Sequence, residues 1–472
     1  MENFFDPNSI VIFGASKDER KGGNHVLRNI LNYTDQNLYL IHPEHEEIYG
    51  IKCYKALDEV PIKNIDLGII ILPVEYVLDA LEQCIDYKIK TVVIESGDFY
   101  LKGENDEKNQ KRLERLNSRL MKSSTRVLGP NSIGFYCAHK NKKNLITSLI
   151  YFDKLPEMKE KNLSIISQTG LTLSGILQGQ NYIQEFGIAK IAAIGNKFDV
   201  NASDVLDIYE KDPDTNAIGL YLEDIKEGQR FKEQCSRIAK KKPIILLKSG
   251  RTEKGKRAII SHTKSLAGNY KIIEALSKQI GLLIVDDFNE MFQIAKLLLT
   301  QPIPKNNRVA VISISGAGTV LSCDLAERYG LELPPMTLQQ KKFMQDIFPR
   351  FAWDDVYNPL DIWSSVEYVG PEKAYLHAGE VFLKENNKID ALIYFLTGIE
   401  ETEFDWKKLH QLNTKYNHIP IYMGFLGGNK KLLLQWREEL EEKFNIPTFE
   451  SINILMKSIS KVLQLKLEKE II

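Results

Sequence analysis

Short β-branched and leucine-rich runs recur through the 472 residues, and most of them lead into a turn of small or hydroxyl residues and then a helical pattern. Ile10 to Phe13, Leu38 to Ile41, Leu67 to Leu72 and Thr91 to Ile94 alternate with helix-spaced sets such as Val26, Leu27, Ile30 and Leu31. Strands alternating with helices at this spacing predict a parallel, doubly wound α/β sheet. The pattern breaks and restarts twice. Residues 138 to 162 hold six lysines in a polar stretch, read as a linker with one strand over Leu145 to Phe152. Gln301-Pro302-Ile303-Pro304 marks the second break. At about 150 residues per domain the length suggests roughly three domains, expected at 1–140, 160–300 and 306–472.

Charge excludes some functions. With 62 basic and 63 acidic residues the net charge is -1, which gives no general attraction to nucleic acid or to an anionic membrane, so any phosphate affinity is local. The five cysteines are scattered, without a CxxC pair, and predict neither a disulfide framework nor a zinc site; no metal ligand set is expected. A run of about 18 apolar residues is absent, as is a basic segment before an apolar N-terminal stretch. A reducing cytoplasm is the expected location.

The turns at the strand ends carry the chemistry. The first strand enters Gly14-Ala15-Ser16-Lys17, suited to bind phosphate through backbone N–H groups. A nicotinamide dinucleotide site would want Asp or Glu after the second strand for the ribose 2′-hydroxyl, and this chain has His42-Pro43. NAD is disfavoured. Coenzyme A brings a diphosphate and a 3′-phosphate, for which Lys17, Arg20 and Lys21 supply charge; a merely solvated set of cations is the competing account.

In the second segment, Leu163 to Ile166 leads into Ser167-Gln168-Thr169-Gly170 and a helical pattern, which suits phosphate binding or plain N-capping. Ile191 to Ile194 leads to Gly195-Asn196-Lys197, and Ala217 to Leu222 ends at Glu223. Pro243 to Leu247 ends at Lys248-Ser249-Gly250, and a polar loop with Arg251, Lys254, Lys256 and Arg257 is expected to carry His262. A largely neutral imidazole among cations can accept a phosphoryl group. Gly250, Gly255 and Lys256 imitate a P-loop, but Arg257 stands where the Mg²⁺-binding hydroxyl belongs. In the third segment Arg308 to Ile314 enters Ser315-Gly316-Ala317-Gly318, a further helix start shaped for phosphate.

Ser-Gly-Arg-Thr-Glu at 249–253, Ser-His-Thr at 261–263 and Leu-Ala-Gly at 266–268 resemble the phosphohistidine segment of the NDP-forming acyl-CoA synthetases, the superfamily of the succinyl-CoA ligases. Gly14-Ala15-Ser16, Pro43, Pro73 and Gly129-Pro130-Asn131 are similar to its CoA-binding domain. Lys264 departs from the pattern, which usually has glycine there.

The resemblance implies a Rossmann-like CoA-binding domain followed by two flavodoxin-like domains of the succinyl-CoA synthetase type. It implies His262 as the phosphoryl carrier and Glu223 as its partner. CoA would meet Gly14, Ala15, Ser16, Lys17, Pro43, Pro73 and Asn131. Phosphate would meet Ser167, Gln168, Thr169, Gly170, Asn196, Lys197, Gly316, Ala317 and Gly318. The implied reaction joins a small carboxylic acid to CoA at the expense of ATP, with ATP, ADP and Mg²⁺ held by an ATP-grasp β subunit in a hetero-oligomer. A CoA-binding regulatory or scaffold protein without turnover is the alternative.

Overall fold

The computed structural model describes residues 4–97, 99, 106–177, 186–263, 268–384, 388–399 and 404–467. The chain forms two compact units, one reaching to residue 280 and one from residue 281 on.

The first unit contains two sheets. In the first sheet β1 (Ser9–Phe13), β2 (Asn37–Ile41), β3 (Glu47–Ile48), β4 (Ile51–Tyr54), β5 (Leu67–Ile70), β6 (Thr91–Ile94) and β7 (Arg126–Leu128) stand in the order β3-β4-β2-β1-β5-β6-β7. All neighbours are parallel except the β3–β4 pair. Leaving out the short β3, chain order reads 3-2-1-4-5-6 across the sheet, the Rossmann order, with its switch point between β1 and β5. The helix over Val74–Asp86 shows why the sequence winds this way. Val77, Leu78, Leu81, Cys84 and Ile85 recur at helical spacing and are all buried. At about 1.5–3 kcal/mol for each large side chain, that stripe fixes the helix to the sheet.

The second sheet starts with β8 (Phe135–Cys137) and β9 (Leu145–Ile146), an antiparallel pair. It continues with parallel β10 (Asn162–Ser167), β11 (Gly187–Ala193), β12 (Ala217–Leu222) and β13 (Ile244–Lys248), in the order β13-β12-β10-β11-β8-β9. The strand expected over residues 145–152 is therefore confined to Leu145–Ile146. Beyond it the backbone at Ser148 and Ile150 is taken up by Asn29 Nδ2, at 3.1 and 2.8 Å, instead of by a ladder.

The second unit opens on β14 (Leu282–Ile284) and a helix, Phe288–Thr300. Its all-parallel sheet, β15 (Val309–Ser313), β16 (Leu360–Asp361), β17 (Ala391–Gly398), β18 (Ile421–Gly428) and β19 (Thr448–Phe449), has the order β16-β15-β17-β18-β19. Chain order reads 2-1-3-4-5, as in flavodoxin. The helix-spaced Trp436 and Leu440 are buried in its core, with Leu432 and Leu433 packed against them. Among the described residues no helix is long and apolar enough to cross a membrane.

Candidate functional site

The carboxyl edge of the first sheet is shaped by two glycines. Gly14 has φ +93°, and a Cβ there would fall 2.1 Å from the Ile71 carbonyl oxygen. A Cβ on Gly23 would fall 2.0 Å from the Gly14 oxygen, so the helix over Gly22–Tyr33 rests directly on the strand end. The helix starts at Gly22, beyond a loop that separates it from Ser16. The Ser16 hydroxyl accepts the Asp18 N–H at 3.1 Å, and its carbonyl accepts Asn24 Nδ2 at 3.0 Å. Asn24 also donates to the Tyr49 hydroxyl, while its Oδ1 is buried with no hydrogen-bond partner. Ala15 is buried and Lys17 exposed. Arg20 forks onto Asp18 at 3.0 and 2.9 Å, and that hydrogen bonding pulls the Asp18 carboxyl down to about 2.

Pro43 follows β2 and Pro73 follows β5, both at this same edge. The turn at Pro43 is closed by His42, whose Nδ1 accepts the Glu44 and His45 N–H groups at 3.2 and 3.1 Å. Ser96, after β6, was not singled out by sequence. Its hydroxyl accepts the Leu72 N–H at 3.0 Å and donates to the Leu72 carbonyl at 2.7 Å, clamping the β5 end to the β6 end beside the switch point.

Four strand ends of the second sheet meet at one edge. Gln168, after β10, accepts the backbone N–H of Glu223 at 2.7 Å and of Asp224 at 3.1 Å on its Oε1, and donates Nε2 to Asp224 Oδ1 at 2.8 Å. Lys197, after β11, is 2% exposed and ion-paired to the same Asp224 oxygen. Burial pushes the Asp224 carboxyl up, but the ammonium of Lys197 outweighs it and holds the group below the ordinary carboxylate range. Glu223 is buried, with its Oε1 3.5 Å from the Tyr221 hydroxyl. Lys248 closes β13 and donates its ammonium to the Glu223 carbonyl at 2.6 Å. Burial pulls that ammonium down to about 8, against the opposing pull of Asp224 and Glu223.

Ser167 and Thr169 use their hydroxyls on their own turn. Ser167 Oγ accepts the Thr169 N–H at 3.1 Å and donates to its carbonyl at 3.0 Å, and Thr169 Oγ1 accepts the Leu171 N–H at 3.3 Å. A short, wide helix over Thr172–Ile176 follows Gly170. Asp224 and Lys248 escaped the sequence reading; a lone lysine closing the run Ile244-Ile245-Leu246-Leu247 was the available signal, since a cation at a buried strand end is costly without partners.

The two sheets of this unit touch through two motifs. The Pro130 carbonyl accepts the Asn196 N–H at 2.9 Å and the Gly129 carbonyl accepts the Phe198 N–H at 2.9 Å. Gly195 has φ +54°, and a Cβ there would fall 2.3 Å from the Pro130 oxygen. Asn131 Nδ2 reaches Asn196 Oδ1 at 3.4 Å. Asp199, the acid of Gly-Asn-Lys-x-Asp, accepts Arg126 Nε and the Val127 N–H, each at 2.8 Å, and thereby ties β7 to this turn. Asp204 belongs to a capping box with Asn201 and also pairs with Arg126 and Arg230.

The stretch after β13 is a helix over Glu253–Thr263 and not the expected loop. Thr252 begins it, with its hydroxyl accepting the Gly255 N–H at 3.1 Å and its carbonyl the Lys256 N–H at 2.8 Å. Lys256 pairs with Glu253 at 2.7 Å one turn away. A hydroxyl cap, an acid in the first turn and no proline make a helix start, which outweighs Gly255. The backbone of His262 lies in this helix. The His262 side chain, Lys264, Leu266 and Ala267 lie outside the described residues, as does any pairing of His262 with Glu223.

In the second unit Ser315 caps the helix Gly316–Tyr329 by accepting the Ala317 N–H at 3.3 Å. A Cβ on Gly318 would fall 2.3 Å from Ser313 Oγ, the atom that accepts the Ser315 N–H at 3.1 Å. Asn358, of Asn358-Pro359-Leu360-Asp361, accepts the Val311 N–H at 3.0 Å and donates to the carbonyls of Val309 and Pro334, so its work is to fasten β16 beside β15.

Comparison with known proteins agrees with this architecture. A CoA-binding domain model matches residues 8–138, and a succinyl-CoA ligase-like flavodoxin domain model matches residues 160–298. The chain is 32% identical over 455 residues to the α subunit of ADP-forming acetate–CoA ligase II of Pyrococcus furiosus, covering 95% of this chain and 94% of that one. It is 32% identical over 466 residues to the ADP-forming acetate–CoA ligase II of Archaeoglobus fulgidus, covering 98% of this chain and 66% of that one. A dinucleotide-forming acetyl-coenzyme A synthetase of Ca. Korarchaeum cryptofilum, solved with phosphate and ADP, superposes with a TM-score of 0.82 at 29% identity, over 99% of this chain and 97% of that one.

Proposed function

Because the chain belongs to the NDP-forming acyl-CoA synthetase family, we infer that it is the α-type subunit of an ADP-forming acid–CoA ligase. It would carry the CoA and histidine steps of the reversible conversion of acid, CoA and ATP into acyl-CoA, ADP and phosphate. The observation that carries this reading is the single sheet edge at which Gln168, Lys197, Glu223, Asp224 and Lys248 meet, with the helix that bears His262 departing from the same edge. Such an edge is where parallel α/β sheets gather ligands.

On this reading CoA binds at the carboxyl edge of the first sheet, with its phosphates at Gly14, Ala15, Ser16 and Lys17 and the adjoining turns at Pro43, Pro73 and Asn131. The unpartnered Asn24 Oδ1 beside the Gly14 to Ser16 turn fits a ligand that brings a hydrogen-bond donor together with its phosphates. Towards acyl-CoA, His262 takes the terminal phosphoryl group of ATP, releasing ADP, and passes it to the carboxylate to give an acyl phosphate, from which the CoA thiol displaces phosphate. In reverse, the acyl phosphate formed from acyl-CoA and phosphate gives its phosphoryl group to His262 for delivery to ADP, releasing the acid. Glu223 fixes the imidazole tautomer by accepting its N–H, and leaves the other nitrogen as nucleophile. Ser167, Gln168, Thr169, Gly170, Asn196 and Lys197 line the phosphate. Gly316, Ala317 and Gly318 of the second unit offer phosphate a helix start of their own. The regions 1–140, 160–300 and 306–472 act as the CoA-binding, phosphohistidine and second ligase domains.

Nucleotide and Mg²⁺ belong to a separate ATP-grasp subunit. The α-subunit relative is matched over nearly its whole length, whereas the Archaeoglobus enzyme extends well beyond the matched region. The purified chain is expected to form no ADP from ATP, acid and CoA until such a subunit is added. The same mixture should place an acid-labile phosphate on His262 that His262→Ala abolishes together with activity. Activity of the lone chain, or full activity of His262→Ala, would overturn the assignment.

A further inference from the structure

We propose that a cavity between two helices of the first unit binds an organic anion with an apolar chain, its charged end on Lys248. The inference goes beyond the ligase reading and does not depend on it. The helices are Gly228–Ala239 and Tyr270–Ile280, and the space between them is about 740 Å³, within the range of small-molecule sites. Its walls are mostly apolar. Phe231 comes from the first helix, and Ile272, Ile273 and Leu276 recur along one face of the second. Phe231 is buried, whereas Ile272 stands at 64% exposure, so the apolar wall runs from the interior out to an open mouth.

Charge at the cavity has one sign. Lys232, Lys248 and Lys271 line it, and among the described residues no Asp or Glu does. Lys248 closes β13 and is only 1% exposed. Its ammonium donates to the carbonyls of Glu223 and Ser249, at 2.6 and 2.5 Å. An ammonium carries three donors, and among the described residues no carboxylate reaches this one. A buried cation beside the cavity is thus left with a donor to give and without a counter-ion, a costly state that an entering anion relieves. A carboxylate or sulfonate on the remaining N–H does this while its chain covers the apolar wall. Because the same ammonium holds the Glu223 carbonyl, occupancy is felt at the strand end that carries Glu223.

Octane-1-sulfonate tests this, because a sulfonate forms no acyl phosphate and its binding is read apart from turnover. Titrated calorimetrically into the full chain, it should bind at least tenfold tighter than hexane-1-sulfonate, since each buried methylene contributes roughly fourfold. Octan-1-ol and octylammonium should bind at least tenfold more weakly than the octyl anion. Leu276→Trp, which fills the cavity, should weaken the sulfonate at least tenfold, and Lys232→Glu at its half-buried wall at least fivefold. The Lys232 change leaves the core untouched, so it decides the question even if the tryptophan variant fails to fold. Equal affinity for the two sulfonates, or for the alcohol, overturns the proposal, as does an affinity that Lys232→Glu leaves unchanged.

Discussion

The Lys248 ammonium donates to the backbone carbonyl of Glu223 at 2.6 Å, so a buried cation at the end of β13 steadies the end of β12. Its partners are main-chain oxygens, 2.6 and 2.5 Å away, and no carboxylate lies within ion-pair distance of it among the described residues. That arrangement yields a pH signature. The folded-state value is about 8 against an ordinary 10.5, so between those values the unfolded chain holds a proton that the folded chain has released. Stability contributed at this position therefore rises with pH from about 8 toward 10.5, and the burial penalty is fully present below 8. Lys248→Met removes the titration. Urea unfolding at pH 7 and pH 10 should show the wild type gaining on this variant at the higher pH; parallel changes in both would exclude the assignment.

Glu223→Gln keeps an acceptor oxygen but removes the charge that, on the proposed reading, steadies an imidazolium. Phosphoryl transfer through His262 should slow by roughly 10²-fold, within the range of positioned acid–base groups. CoA affinity by calorimetry should stay within twofold. Unchanged phosphorylation kinetics would leave Glu223 with a structural role at the strand end.

Gly195→Ala is expected to destabilise by at least about 2 kcal/mol, because it combines a left-handed backbone with a contact that cannot form. The comparison is Gly50→Ala, where φ is +78° but no atom lies within 4 Å of the added carbon. That variant pays only the backbone strain, about 1 kcal/mol. Denaturant midpoints for the pair separate the clash from the dihedral.

CoA should bind the chain in preference to NAD, since the phosphate turn is present and His42 stands where the ribose acid would be. Gly14→Ala forces a side chain to within 2.1 Å of the Ile71 oxygen and should weaken CoA at least tenfold. Tighter binding of NAD than of CoA would end the argument.

The sequence was most readable where a strand met its turn. Gly14, Gly195 and Gly318 stand where a Cβ would strike backbone or a serine hydroxyl, a constraint written into one residue type. Strand runs such as Leu67 to Ile70 announced themselves because a fully buried parallel strand tolerates few polar residues. The short β3, β16 and β19 carry two residues each, too few for any period to register. The helix before His262 was hidden by its charge, since a solvated lysine-rich face lacks the apolar stripe that marks a helix. The roles of Lys248 and Asp224 were hidden for another reason. Their partners lie across the sheet edge on strands distant in sequence, and only folding brings Gln168, Lys197 and Glu223 to them.

On the proposed assignment, the contact between Gly129-Pro130-Asn131 and Gly195-Asn196-Lys197 makes the coenzyme edge and the phosphate edge share one strip of backbone. A ligand that tightens either turn draws on the same hydrogen bonds from Asn196 and Phe198. Affinity at the two edges is then thermodynamically linked, and the factor by which CoA alters phosphate binding must equal the factor by which phosphate alters CoA binding.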